Sequence, residues 1–296
     1  MTPRLIFLGM RCEYSRVALQ TLLAAGCAVV GLIIPSPRRP FASGAGLQRL
    51  PPPDLPLSAP GSRPDIVALA HAHSLPVWEA ARLGADAGLA ELAALRPDLW
   101  CVACFPRRLP PAWLALPRLG GLNLHPSLLP AYRGPQPLFW QFRHGETRTG
   151  VSVHQLEEGL DTGDLVGQAA LPFPDGWREV EAERTLAEAG ARLVLDALAH
   201  VPWPRRPQPG VGASYFPSPT PDDLRVPVTW PARRAFNFLR GAEAWGPFEV
   251  TGPARRWRVR AALALAAQTP PETPPADSAW IAFSDGAVLV RLERPA

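Results

Sequence analysis

Through the first two thirds of this chain, short continuous apolar runs alternate with stretches whose apolar positions return every three or four residues. The first rhythm fits strands buried on both faces, and the second fits amphipathic helices. Strands are predicted at Arg4–Gly9, Ala28–Ile34, Leu99–Cys104, Gly121–Leu124 and Gly150–His154. Helices are predicted at Ser15–Ala25, Asp65–His73, Gly88–Leu95 and Arg178–Ala199. The last carries Leu186, Gly190, Leu193 and Ala197 at helical spacing, with Glu and Arg outside. Such alternation predicts an α/β fold, a Rossmann-like and mainly parallel sheet covered by helices. A Pro/Gly-rich stretch from Pro35 to about Arg63 reads as a loop.

The rhythm then stops. Val201 to Pro227 is punctuated by proline and reads as a linker. Beyond it a short helix is predicted at Ala232–Arg240, with strands at Phe248–Thr251, Arg256–Leu263, Trp280–Phe283 and Ala287–Arg291. Ser284-Asp285-Gly286 joins the last two as a turn. The expected division is therefore a catalytic domain over 1–200, a linker over 201–227 and a small β-domain over 228–296. No repeat of supersecondary length is visible.

Composition narrows the class. Hydrophobic residues make up 47% and charged residues 19%, which suits a soluble globular protein and not a disordered one. The longest apolar run, Ala28–Ile34, is strand-sized and far short of a membrane span. Met1 to Phe7 runs straight into a strand without a cleavable signal pattern, so a cytoplasmic protein with no membrane partner is expected. All thirty basic residues are arginine, against 26 acidic ones, which gives a net charge of +4. The absence of lysine excludes a Schiff-base lysine and a phosphate-loop lysine. The arginine usage fits GC-rich coding, and the mildly basic balance fits a polyanion such as RNA. Cys101 and Cys104 form a C-x-x-C, but they lie inside the apolar run Leu99–Phe105 with no second pair, so core packing is the expected role.

The chemistry concentrates in Gly121-Leu122-Asn123-Leu124-His125-Pro126-Ser127-Leu128-Leu129-Pro130-Ala131-Tyr132-Arg133-Gly134. Asn123 and His125 stand two apart at a strand end, so both side chains project from one face. An open α/β sheet places its ligand crevice at the carboxyl ends of its strands. An amide donor beside an imidazole can stabilise a tetrahedral oxyanion and move a proton near neutral pH. A second segment, Glu157-Glu158-Gly159-Leu160-Asp161-Thr162-Gly163-Asp164, makes a glycine turn after the Val151–Gln155 strand. A carboxylate there is placed to raise the imidazole pKa or to orient a relay water. On spacing alone each of these residues also has an ordinary structural reading. His71, His73, His144, His154 and His200 have no partner at ligand spacing and are expected to be structural, and no metal is expected.

The two segments together, in this order and separation, resemble the formyltransferase family. Its members act on methionyl-tRNA, glycinamide ribonucleotide or nucleotide-linked amino sugars, or hydrolyse formyltetrahydrofolate. The likeness runs over most of the chain and is loose outside residues 99 to 170. It implies the formyltransferase fold with a C-terminal OB-like β-domain. It implies 10-formyltetrahydrofolate as co-substrate, no metal, and Asn123, His125 and Asp161 as the catalytic set. Folate-lining residues carried over from the family are Phe105, Pro106, Arg107, Arg108, Leu109, Ser127, Leu128, Leu129, Pro130 and Leu160.

The two-domain layout is most like that of the tRNA-directed members, which implies initiator tRNA as partner and no DNA. Arg256, Arg258 and Arg260 alternate on one strand face, and Arg233, Arg234 and Arg240 extend the track. Such a face fits phosphate contacts and equally a solvated strand. Arg38, Arg39 and Arg133 complete the expected acceptor set. Departures from the tRNA-directed pattern leave a paralogue acting on another amine as the alternative to methionyl-tRNA, which stays the leading expectation. The loop at Pro37–Gly46 is a diluted basic insertion, and Pro135-Gln136-Pro137-Leu138 replaces the usual Ala-Ala-Pro-Ile. The alternative acceptor is a small amine such as a nucleotide-linked amino sugar, or water in a formyltetrahydrofolate hydrolase.

Overall fold

The computed structural model describes residues 2–36, 46–52, 65–81, 83–84, 88–268 and 273–293. In chain order, its first thirteen elements are β1 (Arg4–Leu8), α1 (Glu13–Ala24), β2 (Ala28–Pro35), β3 (Leu47–Leu50), α2 (Ile66–Ala72), β4 (Val77–Ala80), α3 (Leu89–Ala94), β5 (Leu99–Ala103), α4 (Pro111–Leu114), β6 (Gly121–His125), α5 (Pro137–His144), β7 (Arg148–Gln155) and β8 (Leu165–Pro172). They are followed by α6 (Glu179–Ala199), β9 (Arg225–Pro227), α7 (Ala232–Gly241), β10 (Phe248–Thr251), β11 (Arg256–Ala266), β12 (Ser278–Phe283) and β13 (Gly286–Leu292). The eight-stranded sheet runs β3-β4-β2-β1-β5-β6-β7-β8. The pairs β2–β4, β1–β2, β1–β5 and β5–β6 are parallel, while β3–β4 and β6–β7 are antiparallel. The chain winds outward from β1 through β2 and β4, then returns to build β5 and β6 on the other side. The winding therefore reverses between β1 and β5, and a crevice forms at their carboxyl ends.

Two compact units emerge from the contacts. One comprises Met1–Arg133, Gly150–Ala169 and Glu183–Ser214, and the other Gly134–Thr149, Ala170–Ala182 and Tyr215–Ala296. In the first, β1 and β5 bury every residue except Arg4. Against them pack Ile33, Trp78, Leu92 and Trp113. The Trp100 and Trp113 rings stack at 5.8 Å, and Trp100 Nε1 donates to the Trp113 carbonyl at 2.6 Å, so even the indole N–H is satisfied. Gly9, where β1 turns into α1, has no room for a Cβ, which would meet Phe7 Cε1 at 2.8 Å.

The second unit carries a five-stranded sheet, β12-β13-β11-β10-β9, the smaller β-domain anticipated from the C-terminal pattern. Phe238 of α7 packs edge-on against Phe139 and Phe248 at 5.3 and 5.2 Å. Asp285 in the β12–β13 turn accepts from the Ala232 N–H at 2.6 Å and so caps α7.

Several elements differ from the expectation. Within the stretch read as a loop, Leu47–Leu50 forms β3 against β4. Its four residues are too few to carry a periodicity. Elements β4, α4, α5 and β8 were not anticipated either. Pro137-Leu138-Phe139-Trp140 opens α5, with proline at a helix start where its missing N–H costs nothing. Arg225–Pro227, inside the predicted linker, is a strand parallel to β10. No helix among the described residues is long and apolar enough to cross a membrane.

Candidate active site

The β6 sequence Gly-Leu-Asn-Leu-His is flanked on one side by β5 and on the other by β7. The antiparallel β6–β7 register sets Asn123 directly opposite His154 and His125 opposite Ser152. Opposed residues on neighbouring strands present their side chains on the same face. Asn123 Nδ2 lies 3.0 Å from His154 Nε2.

Asp161 completes the group. Its Oδ1 accepts from Asn123 Nδ2 at 3.3 Å and lies 3.5 Å from His154 Nε2 and 3.7 Å from His125 Nδ1. The turn that carries it is tightly drawn. A Cβ on Gly163 would fall 2.0 Å from the Gln155 carbonyl oxygen, so only glycine fits. Asp161 itself sits at φ 55. Gln208 Nε2 donates to the carbonyls of Asp161 and Gly163, both at 2.8 Å, while Gln208 Oε1 accepts from Arg133 Nη2 at 2.6 Å. Arg133 thus holds the turn through Gln208.

Hydrogen positions follow from the partners. His125 Nε2 lies 2.8 Å from the Tyr132 carbonyl, which can only accept, so Nε2 carries the proton and neutral His125 presents a bare Nδ1 toward Asp161. Burial is the main force on this imidazole and pushes its pKa below the ordinary value, with Asp161 opposing it. At 4% exposure His125 is therefore neutral near pH 7. His154 Nδ1 lies 2.9 Å from the Gln155 carbonyl and donates to it. With its proton on Nδ1, His154 offers Nε2 as an acceptor for Asn123. Both N–H groups of Asn123 are consequently engaged, one by His154 and one by Asp161.

The loop after β6 is pinned from below. Ser152 Oγ donates to the Ser127 carbonyl at 2.7 Å and accepts from Leu129 N at 2.9 Å, and Gln168 Nε2 donates to the Leu129 carbonyl at 2.8 Å. This fixes Ser127–Pro130 beside the cluster. Phe105–Leu109 leaves the carboxyl end of β5, adjacent to β6, with Phe105 and Leu109 packed on the core. Arg107 Nε is buried without a hydrogen-bond partner among the described residues. Leu160 is half-buried in the Asp161 turn.

Of the expected catalytic residues, the fold brings Asn123, His125 and Asp161 together. It adds His154, which the sequence pattern alone reads as structural, and the supports Ser152 and Gln208. Only the β6–β7 register reveals His154, and no sequence motif points to Gln208. Among the expected acceptor residues, Arg38 and Arg39 lie outside the described residues. Arg256, Arg258 and Arg260 are exposed, and each meets a carboxylate: Arg256 meets Glu249 at 3.7 Å, Arg260 meets Glu293 at 3.4 Å, and Arg258 bonds Glu293. Arg233 pairs with Asp175 at 2.7 Å, Arg234 stacks on Trp230 at 3.8 Å, and Arg240 donates to the Gly176 carbonyl. No group of three or more His, Cys, Asp or Glu among the described residues is arranged to hold a metal ion.

Residues 29–198 match the family described as Formyl transferase. The methionyl-tRNA formyltransferase of Synechococcus sp. (strain JA-3-3Ab) is 34% identical over 97% of this chain and 89% of its own length. Among solved structures, HypX from Aquifex aeolicus in complex with tetrahydrofolic acid aligns with a TM-score of 0.63 at 17% identity, over 98% of this chain and 44% of HypX. An N-formyltransferase from Helicobacter canadensis, in complex with folinic acid and dTDP-3-aminofucose, aligns at 0.62 and 14% identity over 99% of each chain. At those identities the two structures speak to the fold alone.

Proposed function

This chain belongs to the formyl transferase family and is a formyltransferase, and from that premise we propose that it moves the formyl group of 10-formyltetrahydrofolate to the amino group of initiator methionyl-tRNA. The observation that carries the reading is the convergence of Asn123, His125 and Asp161 at the carboxyl end of β6. The amine attacks the formyl carbon, and the carbonyl becomes an oxyanion. Asn123 donates a hydrogen bond to that oxygen. His125, kept neutral by burial, takes the ammonium proton at Nδ1. The imidazolium then faces Asp161 Oδ1 and is stabilised by it. The adduct collapses: the C=O bond re-forms, the bond from the formyl carbon to the folate nitrogen breaks, and that nitrogen takes the proton held by His125, so tetrahydrofolate leaves, the amine is formylated and neutral His125 is restored.

On this reading Phe105–Leu109, Ser127–Pro130 and Leu160 line the folate site. The buried, unpartnered Nε of Arg107 supports it, because a carbonyl or carboxylate of the co-substrate would satisfy that donor. No metal takes part in the scheme. The tRNA acceptor is supported by the 34% identity to a methionyl-tRNA formyltransferase. One observation favours a small amine instead: the carboxylates of Glu249 and Glu293 offset most of the charge on Arg256, Arg258 and Arg260.

Formyl transfer assayed against charged initiator tRNA and against a panel of nucleotide-linked amino sugars separates the two. Methionyl-tRNA is expected to be formylated, with binding that weakens steeply as salt rises. Turnover of an amino sugar with none on tRNA would transfer the assignment to the small amine. Replacing Arg256, Arg258 and Arg260 together by glutamine should weaken tRNA binding and flatten its salt dependence. Unchanged affinity would remove that face from the acceptor site.

A further inference from the structure

Strands β1 and β5 lie side by side where the winding of the sheet reverses, and the chain leaves both at the same edge. Leu8 stands level with Val102, so Cys12 and Cys104 emerge just beyond adjacent strand ends. Ser15 ties the two exits together. Its Oγ donates to the Ala103 carbonyl at 2.7 Å and lies 3.3 Å from Cys12 Sγ. The Cys104 thiol is hydrogen-bonded to Cys12. Neither cysteine is fully buried, and neither is in a disulfide.

The four cysteines are not equivalent. Cys12 caps the twelve-residue helix α1, and the Ser15 backbone N–H donates to its sulfur at 3.4 Å. The hydrogen bond from Cys104, joined by the Ser15 and Tyr14 amides, outweighs burial and brings Cys12 down to about 7. Burial pushes the thiols of Cys27 and Cys101 the other way. Cys101, fully enclosed in β5, is not the functional partner that the C-x-x-C spacing suggests. The partner of Cys104 lies across the strands.

We propose that Cys12 and Cys104 form a peroxide-reactive dithiol at the switch point of the sheet, with Cys12 attacking and Cys104 resolving. The Cys12 thiolate attacks one oxygen of hydrogen peroxide. The O–O bond breaks, hydroxide leaves and takes up a proton as water, and Cys12 becomes a sulfenic acid. Cys104, having lost its proton, attacks the Cys12 sulfur. The S–O bond breaks, a second water forms, and the S–S bond closes. In sum, two thiols and one peroxide give one disulfide and two waters, and two electrons pass from sulfur to the peroxide oxygens. This site goes beyond the formyl-transfer reading and does not depend on it.

The test treats the fully reduced protein with stoichiometric hydrogen peroxide under native conditions, blocks remaining thiols, and cleaves at arginine. The expected product joins the Cys12–Arg16 peptide to the peptide bearing Cys104, with the loss of two hydrogens, and dithiothreitol reverses it. Fragmentation between Cys101 and Cys104 assigns the sulfur. In Cys104→Ser the reaction should stop at a Cys12 sulfenic acid that dimedone traps. Cys12 should react roughly tenfold or more faster than Cys27 near pH 7.5, from their difference in thiolate fraction. A link through Cys101, equal reactivity of Cys27, or over-oxidation of Cys12 with Cys104 still reduced would overturn the proposal.

Discussion

His154 is the residue whose role the fold, and not the motif, discloses, and its replacement tests the proposed site most directly. Its Nε2 accepts from Asn123 Nδ2 at 3.0 Å within a shell where His154 is 2% exposed. In His154→Ala that half-buried amide N–H loses its acceptor, at a cost of about 1–3 kcal/mol. At about 1.4 kcal/mol per tenfold, the whole of this cost expressed at the transition state lowers kcat by about fivefold to 150-fold. Asn123 would act on the oxyanion and not on the bound folate, so KM for the co-substrate should move much less. His154→Gln keeps an amide oxygen near the lost acceptor position and should recover most of the rate. The assay is steady-state formyl transfer with both substrates saturating, alongside thermal unfolding to register any loss of fold. A kcat for His154→Ala within twofold of the parent would refute the argument. So would equal losses for Ala and Gln with unchanged melting.

Two further outcomes follow from the charges. Burial pushes the His125 pKa below its ordinary 6.5, and the base must be unprotonated, so kcat/KM should fall as pH drops through a value under 6.5 and stay level from there to neutrality. Asp161→Asn removes the opposing charge and should move that limb further down; a limb above 6.5 in the parent enzyme would exclude His125 as the base. Glu13 joins α1 to α6, and the hydrogen bond from Arg16, with Arg184 behind it, lowers its pKa from 4.5 to about 2. A depressed carboxyl stabilises above its unfolded value, and that stability is lost as pH falls from about 4.5 toward 2. After screening by solvent, Glu13→Gln should cost about 1–2 kcal/mol in urea unfolding at pH 7 and almost nothing at pH 2. A difference that persists at pH 2 would mean packing and not charge.

Much of the first unit and of the candidate site was legible in the sequence because local chemistry dictates it. The Asn-Leu-His-Pro run places two side chains on one strand face, and Glu-Glu-Gly-Leu-Asp-Thr-Gly has the glycines its turn requires. What escaped depends on register or on distant partners. His154 faces Asn123 only because β6 and β7 pair with that offset, and a one-residue slip would turn it to the other face. Cys104 sits three residues from Cys101 along the chain, yet it bonds Cys12 across neighbouring strand exits. Gln208 lies in a proline-rich stretch read as linker, where nothing local marks it as the tie between Arg133 and the Asp161 turn. Strand β3 was lost in a Pro/Gly-rich region, since four residues carry too little pattern to stand against the loop signal around them.

The resting arrangement also constrains how the proposed chemistry begins. Asn123 has two amide hydrogens, and both are engaged before any ligand arrives. A formyl oxygen must take one of them. In the proposed exchange the longer contact, to Asp161 at 3.3 Å, is the one given up, and the 3.0 Å contact to His154 is kept. Once that hydrogen turns to the substrate oxygen, Asp161 Oδ1 has lost a donor in a shell where it is 8% exposed, and a buried carboxylate short of donors favours a cation beside it. His125 Nδ1, 3.7 Å away, is the group that becomes cationic when it takes the amine proton. Polarising the carbonyl therefore raises the proton affinity of the base through one shared oxygen. His154 keeps Asn123 aimed while the exchange occurs, which explains why an imidazole with no direct part in bond making belongs in the cluster.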